Sequence, residues 1–194
     1  MSYQTIGNIK SASDSNGKLK ALKLTKIMLH NKSVLDIGCN EGFFCNEVIK
    51  LGAVKCIGID KNNQTINKAR TNFPNTQITF ICSSFEDFYN STNEKFDVVL
   101  LCSVLHYMDG KKILELISKI LNPNGMLIFE GGVFDNNKEN EWKKLKRASD
   151  VVDHPTKSAL EHTLRQFYSK FELIGNSVLQ AGDCVPRYVY YASI

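Results

Sequence analysis

The run FDVVLLCS at residues 96–103 is apolar almost throughout, so a strand built from it is hidden from water on both faces. A half-solvated antiparallel sheet gives such a strand no place. SVLDIG (33–38), KCIGID (55–60), QITFIC (77–82) and GMLIFEGG (125–132) are similar short apolar runs, and the segments between them have helical periodicity. FFCNEVIKLGA (43–53) closes with Gly52 as its C-terminal cap, and NNQTINKARTNF (62–73) stops before Pro74. GKKILELISKIL (110–121) sets apolar side chains at 113, 114, 116, 117, 120 and 121 and leads through an NPNG turn into the fifth run. Strands alternating with helices predict an α/β domain, a parallel sheet covered on both sides.

The two ends of the chain extend this unit. GKLKALKLTKIML (17–29) is expected as one amphipathic helix, with further helices at 138–150 and 157–168. FELIGNSVLQ (171–180) and PRYVYYASI (186–194) are expected as strands, and AGDCV between them is too short for a helical crossover. That last pair must therefore be antiparallel.

With 194 residues and 43% hydrophobic content, the chain is long enough for one domain with a full core and too short for two ordinary ones. No apolar run approaches the roughly 18 residues of a membrane span, and MSYQTIGNIKSASDS lacks the apolar core of a signal peptide. A cytosolic protein is expected. The six cysteines show no C-x-x-C pairing and no clustered histidine, which points to buried reduced thiols and to no metal site. The net charge of +4 gathers in Lys18, Lys20, Lys23, Lys26 and Lys32 and in KKLKR at 143–147. Without interleaved aromatics to stack on bases, these clusters are read as solvated helix faces, and a nucleic-acid partner is disfavoured.

In an open parallel sheet, ligands collect beyond the carboxyl ends of the strands where strand order reverses, usually beside the first strand. VLDIGCNEGF occupies that place. Gly38 and Gly42 let the backbone turn sharply and approach a ligand, and Asp36 puts a negative charge at the strand end. A dinucleotide fingerprint would read G-x-G-x-x-G and cradle pyrophosphate; here Asn40 replaces the central glycine beside a carboxylate, which disfavours phosphate. Asp60 ends the second strand about 20 residues on, where a carboxylate accepts hydrogen bonds from ribose hydroxyls. A ribose together with a cationic amino-acid moiety fits S-adenosylmethionine.

VLDIGCNEGFF, IGID, FDVVLLCSVLHYM and LNPNGMLIFE together resemble, in order and spacing, the class I S-adenosylmethionine-dependent methyltransferases. The resemblance implies a Rossmann-like, doubly wound, seven-stranded and mostly parallel sheet with an antiparallel C-terminal hairpin strand. It implies an N-terminal lid and helix over 1–31 and the methyltransferase domain over 32–194. S-adenosylmethionine is the implied cofactor. Asp36, Gly38, Cys39, Asn40 and Gly42 are then expected around its methionyl part, Asp60 on the ribose, Lys61 or Asn62 beside the adenine, and Cys102 and Ser103 beside the sulfonium. Ser84 and Phe85 match the adenine-contacting segment, although many relatives have an aspartate where this chain has Ser84, and Asp87 is a candidate substitute.

Chemistry on a hydroxyl needs a base, and His106, three residues past the fourth strand, is the leading candidate because imidazole titrates near neutrality. Tyr107 and Glu130 follow as catalytic candidates. His154, in DHPT, and Arg187, in GDCVPRY, are candidate substrate contacts; Arg187 is equally placed to pair with Asp183. SASDSNGK (11–18) is expected to form a lid that ends by capping the first helix. The expected activity is methyl transfer to a hydroxyl on a small polar acceptor, of a sugar- or phosphate-bearing kind. An RNA methyltransferase and a non-catalytic S-adenosylmethionine-binding protein are the alternatives. The sequence gives no oligomeric state.

Overall fold

The computed structural model describes residues 13–135, 140–147, 150–179, 183 and 185–194. Five parallel strands, β1 (Ser33–Ile37), β2 (Lys55–Asp60), β3 (Ile78–Cys82), β4 (Phe96–Cys102) and β5 (Leu121–Gly132), form the centre. Between them run α3 (Phe43–Lys50), α4 (Asn63–Asn72), α5 (Phe85–Ser91) and α6 (Gly110–Ile120), preceded by α1 (Ser15–Leu22) and α2 (Lys26–Leu29). After β5 come β6 (Trp142–Arg147), β7 (Asp150–Pro155), α7 (Lys157–Phe167), β8 (Lys170–Asn176) and β9 (Arg187–Ser193).

The seven-stranded sheet has the order β3-β2-β1-β4-β5-β9-β8, with β9 antiparallel to both of its neighbours. The order reverses between β1 and β4, and this reversal opens a crevice at their carboxyl ends. Alternation along each strand divides the core between the two faces. Leu35, Ile37, Val99 and Leu101 meet α5, α6 and α7 on one side. On the other side Val34, Cys56, Val98 and Leu100 pack against α1, α2, α3 and α4. No helix among the described residues is long and apolar enough to cross a membrane.

Three expectations are corrected. The helix anticipated over 17–29 is two helices: Lys23 takes a left-handed conformation (φ 50°), and Thr25 caps α2 by accepting from the Met28 N–H at 3.3 Å. The split leaves Ile27 almost fully exposed, which one continuous amphipathic face would have buried. The helix anticipated over 138–150 is instead the β6–β7 hairpin, paired from Trp142↔Pro155 to Arg147↔Asp150. Strand spacing lets Val152 bury on one side of that ribbon while the exposed Lys144 and Lys146 share the other. NPNG lies within the span of β5, where Asn124 is left-handed (φ 61°) and the register against β4 shifts between Phe96 and Val98.

Candidate functional site

A cavity of about 640 Å³ occupies the crevice. The turn after β1 forms its floor: the N–H groups of Gly38 and Cys39 both donate to the Ile59 carbonyl, at 2.8 and 2.9 Å. Asn40 is left-handed (φ 51°), and its side-chain oxygen accepts from the Glu41 N–H at 2.8 Å. Gly42 opens α3 at φ 88°, and a Cβ there would sit 2.7 Å from the Phe80 ring. Gly38 and Asn40 line the cavity; Cys39 and Gly42 do not, and they act by shaping the turn.

Asp60 joins the two adjacent loops. One carboxylate oxygen accepts from the Asn40 N–H at 3.1 Å and the other from the Asn62 N–H at 2.8 Å. Each oxygen keeps lone-pair capacity toward the cavity that Asp60 and Lys61 line. Asp36 lies deeper and is buried; the Cys45 thiol donates to it at 3.2 Å. Burial pushes its pKa up to about 7, opposed by the Cys45 bond and reinforced by the Asp60 charge. At the far wall Ser84 caps α5 by accepting from the Asp87 N–H at 3.1 Å, and its hydroxyl donates to the Asp87 carboxylate at 2.6 Å. The buried Phe85 stands beside it and also lines the cavity.

Cys102 and Ser103 line the opposite wall. Ser103 is left-handed (φ 60°), and its hydroxyl donates to Glu130 at 2.7 Å while accepting from Lys18 at 2.8 Å and from Arg187. Arg187 grips Glu130 through two bonds of 2.8 and 3.0 Å and reaches Asp183 at 3.3 Å. Burial works against ionising Glu130, yet the Arg187 guanidinium beside it holds its carboxyl below the usual range. Burial lowers the Lys18 pKa, partly offset by the Glu130 charge. Glu130 and Arg187 do not line the cavity. Of the two roles weighed for Arg187, the internal ion pair is present, with Glu130 as a second and shorter partner.

His106 lies in a 3-10 turn at Leu105–Tyr107. It is buried, stacks on His154 at 5.1 Å with an interplanar angle of 18°, and contacts the Tyr107 ring at 4.1 Å. His154, also buried, bonds the Gly132 carbonyl through Nδ1 at 3.1 Å and lines neither cavity. His106 lines a second cavity, of about 680 Å³, between the 3-10 turn and the β6–β7 hairpin. Tyr107, Met108 and Asp109 line both cavities and join them. The structure thus brings together Asp36, Gly38, Asn40, Asp60, Lys61, Ser84, Phe85, Cys102, Ser103 and Tyr107, and puts His106, in the same 3-10 turn as Tyr107, on the second cavity.

Sequence reasoning did not assign Lys18 a role, since one lysine among many reads as a solvated side chain. Its segment was the expected lid. The described part of that segment does border the cavity, through Ser13, Ser15 and Lys18, and Asp14 caps α1 by accepting from the Gly17 N–H at 2.8 Å.

Residues 29–174 match a family model described as a methyltransferase domain. The chain is 32% identical over 111 residues to the mitochondrial ubiquinone biosynthesis O-methyltransferase of Dictyostelium discoideum, covering 51% of this chain and 35% of that one. It is 31% identical over 122 residues to the tRNA U34 carboxymethyltransferase of Helicobacter hepaticus, covering 57% and 38%. The chain therefore spans little more than a third of the length of these curated relatives. Among solved structures it superposes on the N-terminal domain of EvdMO1, crystallised with SAH and D-fucose, with a TM-score of 0.75 at 12% identity over 98% of this chain and 89% of that one.

Proposed function

Because the chain belongs to the class I, Rossmann-like methyltransferases, we propose that it transfers a methyl group from S-adenosylmethionine to a hydroxyl of a small polar acceptor, sugar- or phosphate-bearing. The observation that carries this reading is a cavity at the sheet reversal with Asp36 and Asp60 at the tips of neighbouring strands and a glycine turn between them. Its volume suits a nucleoside-sized ligand.

In this reading Asp60 accepts from the two ribose hydroxyls with its spare lone pairs, and Lys61, Ser84 and Phe85 border the adenine. Asp36, Gly38 and Asn40 receive the methionyl end, where the α-ammonium favours the ionised form of Asp36. Cys39 and Gly42 keep the turn in shape. Cys102 and Ser103 form the wall near the sulfur. The cofactor supplies a methyl group already bonded to cationic sulfur, so the chain's own work is alignment and removal of the hydroxyl proton. His106 takes that proton from the side of the second cavity, Tyr107 guides the acceptor between the cavities, and His154 holds the His106 ring by stacking. Glu130 and Arg187 act through Ser103, not on substrate.

The D-fucose present with the EvdMO1 domain and the O-methyltransferase activity in the Dictyostelium protein's name favour a hydroxyl acceptor. RNA is the second reading, supported by the tRNA-modifying relative and by Lys144 and Lys146 exposed on the hairpin. Calorimetry with S-adenosylhomocysteine, followed by turnover with S-adenosylmethionine, tests the proposal. Folded protein that produces no binding heat ends it, and binding without turnover leaves the non-catalytic reading. Steep salt dependence of RNA binding would favour RNA.

A further inference from the structure

The β6–β7 hairpin is a two-faced ribbon. Strand alternation puts Trp142 and Lys144 on the face that lines the second cavity, together with Asp153, which stands across from Lys144, and Val151, which stands across from Lys146. Val152 buries on the opposite face, and Lys143 reaches over the Phe134 ring at 5.7 Å. The Trp142 ring lies directly on the backbone at the start of α6, where any side chain on Gly110 would overlap it. This close approach fixes an aromatic wall a short way from Tyr107.

Lys144 and Asp153 stand directly opposite each other in the ladder, yet no ion pair joins them among the described residues. An ammonium and a carboxylate on one cavity wall without mutual contact form a donor beside an acceptor. A hydroxyl satisfies both, since it accepts from the first and donates to the second. A phosphate satisfies only the lysine and is repelled by Asp153 and by Asp109, which also lines the cavity. On the same face, the Trp142 indole Nε1 and the Asp153 Oδ1 are buried without hydrogen-bond partners, again one donor and one acceptor. Hydroxylated rings offer paired donor-acceptor groups at their rim and an apolar face that packs on an aromatic ring.

We propose that the second cavity is the acceptor subsite and that it takes a sugar ring. The ring packs against Trp142, a ring hydroxyl bridges Lys144 and Asp153, and a neighbouring hydroxyl points past Tyr107 toward the first cavity. A small shift of the hairpin gives the indole N–H and the second Asp153 oxygen their partners from the same rim. His106 lines this subsite and faces the acceptor's side of the junction. The proposal rests on the methyltransferase reading above and adds to it the acceptor class and the residues that select it.

Trp142 is the chain's single tryptophan, so its emission reports on this wall alone. Protein saturated with S-adenosylhomocysteine is titrated with D-fucose, methyl α-D-glucopyranoside and methyl α-L-rhamnopyranoside, with cyclohexanol, inorganic phosphate and a single-stranded RNA oligonucleotide as comparators. At least one sugar is expected to give a saturable change in emission that the comparators do not. Lys144→Met and Asp153→Ala each weaken that response about tenfold or more, the loss of a hydrogen bond to a charged group, without altering S-adenosylhomocysteine affinity. Lys144 is exposed and Asp153 Oδ1 is unpartnered, and neither side chain is held by a hydrogen bond or ion pair among the described residues, so neither change breaks one. No response to any sugar in protein that binds S-adenosylhomocysteine overturns the sugar subsite alone. An equal response to cyclohexanol or phosphate, or a response only to RNA, overturns it as well. Failure to bind S-adenosylhomocysteine overturns the methyltransferase reading and this subsite with it.

Discussion

Arg187 on β9 holds Glu130 on the adjacent strand β5 through two bonds of 2.8 and 3.0 Å, and both side chains are withdrawn from water. Arg187→Met leaves a buried carboxylate without its main cation and is expected to cost about 3–5 kcal/mol in chemical denaturation. A paired change, Arg187→Met with Glu130→Leu, removes both charges and is expected to recover a large part of that loss. Equal losses in the single and double variants would show that the pair's ionic character contributes little.

Asp60 is expected to be indispensable for the cofactor. Asp60→Ala should abolish measurable heat with S-adenosylhomocysteine while circular dichroism stays native. Two backbone N–H groups, of Asn40 and Asn62, lose their acceptor in that variant, so stability should fall by about 1–3 kcal/mol. Retained nucleoside affinity would detach Asp60 from the ribose.

Asp36 makes stability depend on pH in a defined direction. Its pKa in the folded chain, about 7, lies above the ordinary aspartate value of 3.8, so the folded state holds a proton that the unfolded state has released. The contribution is complete below pH 4 and is lost as pH rises through about 7. Asp36→Asn should flatten that slope and exceed the parent protein in urea midpoint at pH 8. Binding a cation beside Asp36 favours its ionised form, so S-adenosylhomocysteine should release a proton near pH 7. Calorimetry in buffers of different ionisation heat measures that release.

His106→Ala is expected to lower turnover by about 10²–10⁴-fold, the range of a lost general base, with cofactor affinity retained. The test is kcat set beside S-adenosylhomocysteine affinity. Unchanged turnover would remove the imidazole from the reaction.

Where the sequence carried a strong local rule, it was read correctly. The apolar runs at 33–38, 55–60 and 96–103 became β1, β2 and β4, and an aspartate ends β2 where the ribose rule expected one. The short connection before residue 186 implies the antiparallel pairing of β8 with β9. Helix α5 is legible only in its cap, since Ser84 followed by Asp87 is close to a capping box and no extended periodic run accompanies it. The β6–β7 hairpin was hidden because KKLKR has neither clear alternation nor a turn signature and its lysines score well for helix. Lys18 was hidden for a different reason: only the tertiary meeting of α1 with the end of β4 separates it from the surface lysines around it. Glu130 and Arg187 were identified as important, but sequence separation gave no sign that they face each other.

Lys18 and Arg187 both converge on the Ser103 hydroxyl, yet both lie outside residues 29–174, the stretch that the shared domain spans. The common core supplies the wall, and the flanks supply the two bolts that fasten it. Grafting residues 29–174 onto foreign ends would therefore carry over the cavity between Asp36 and Asp60 and leave its Ser103 wall unbraced.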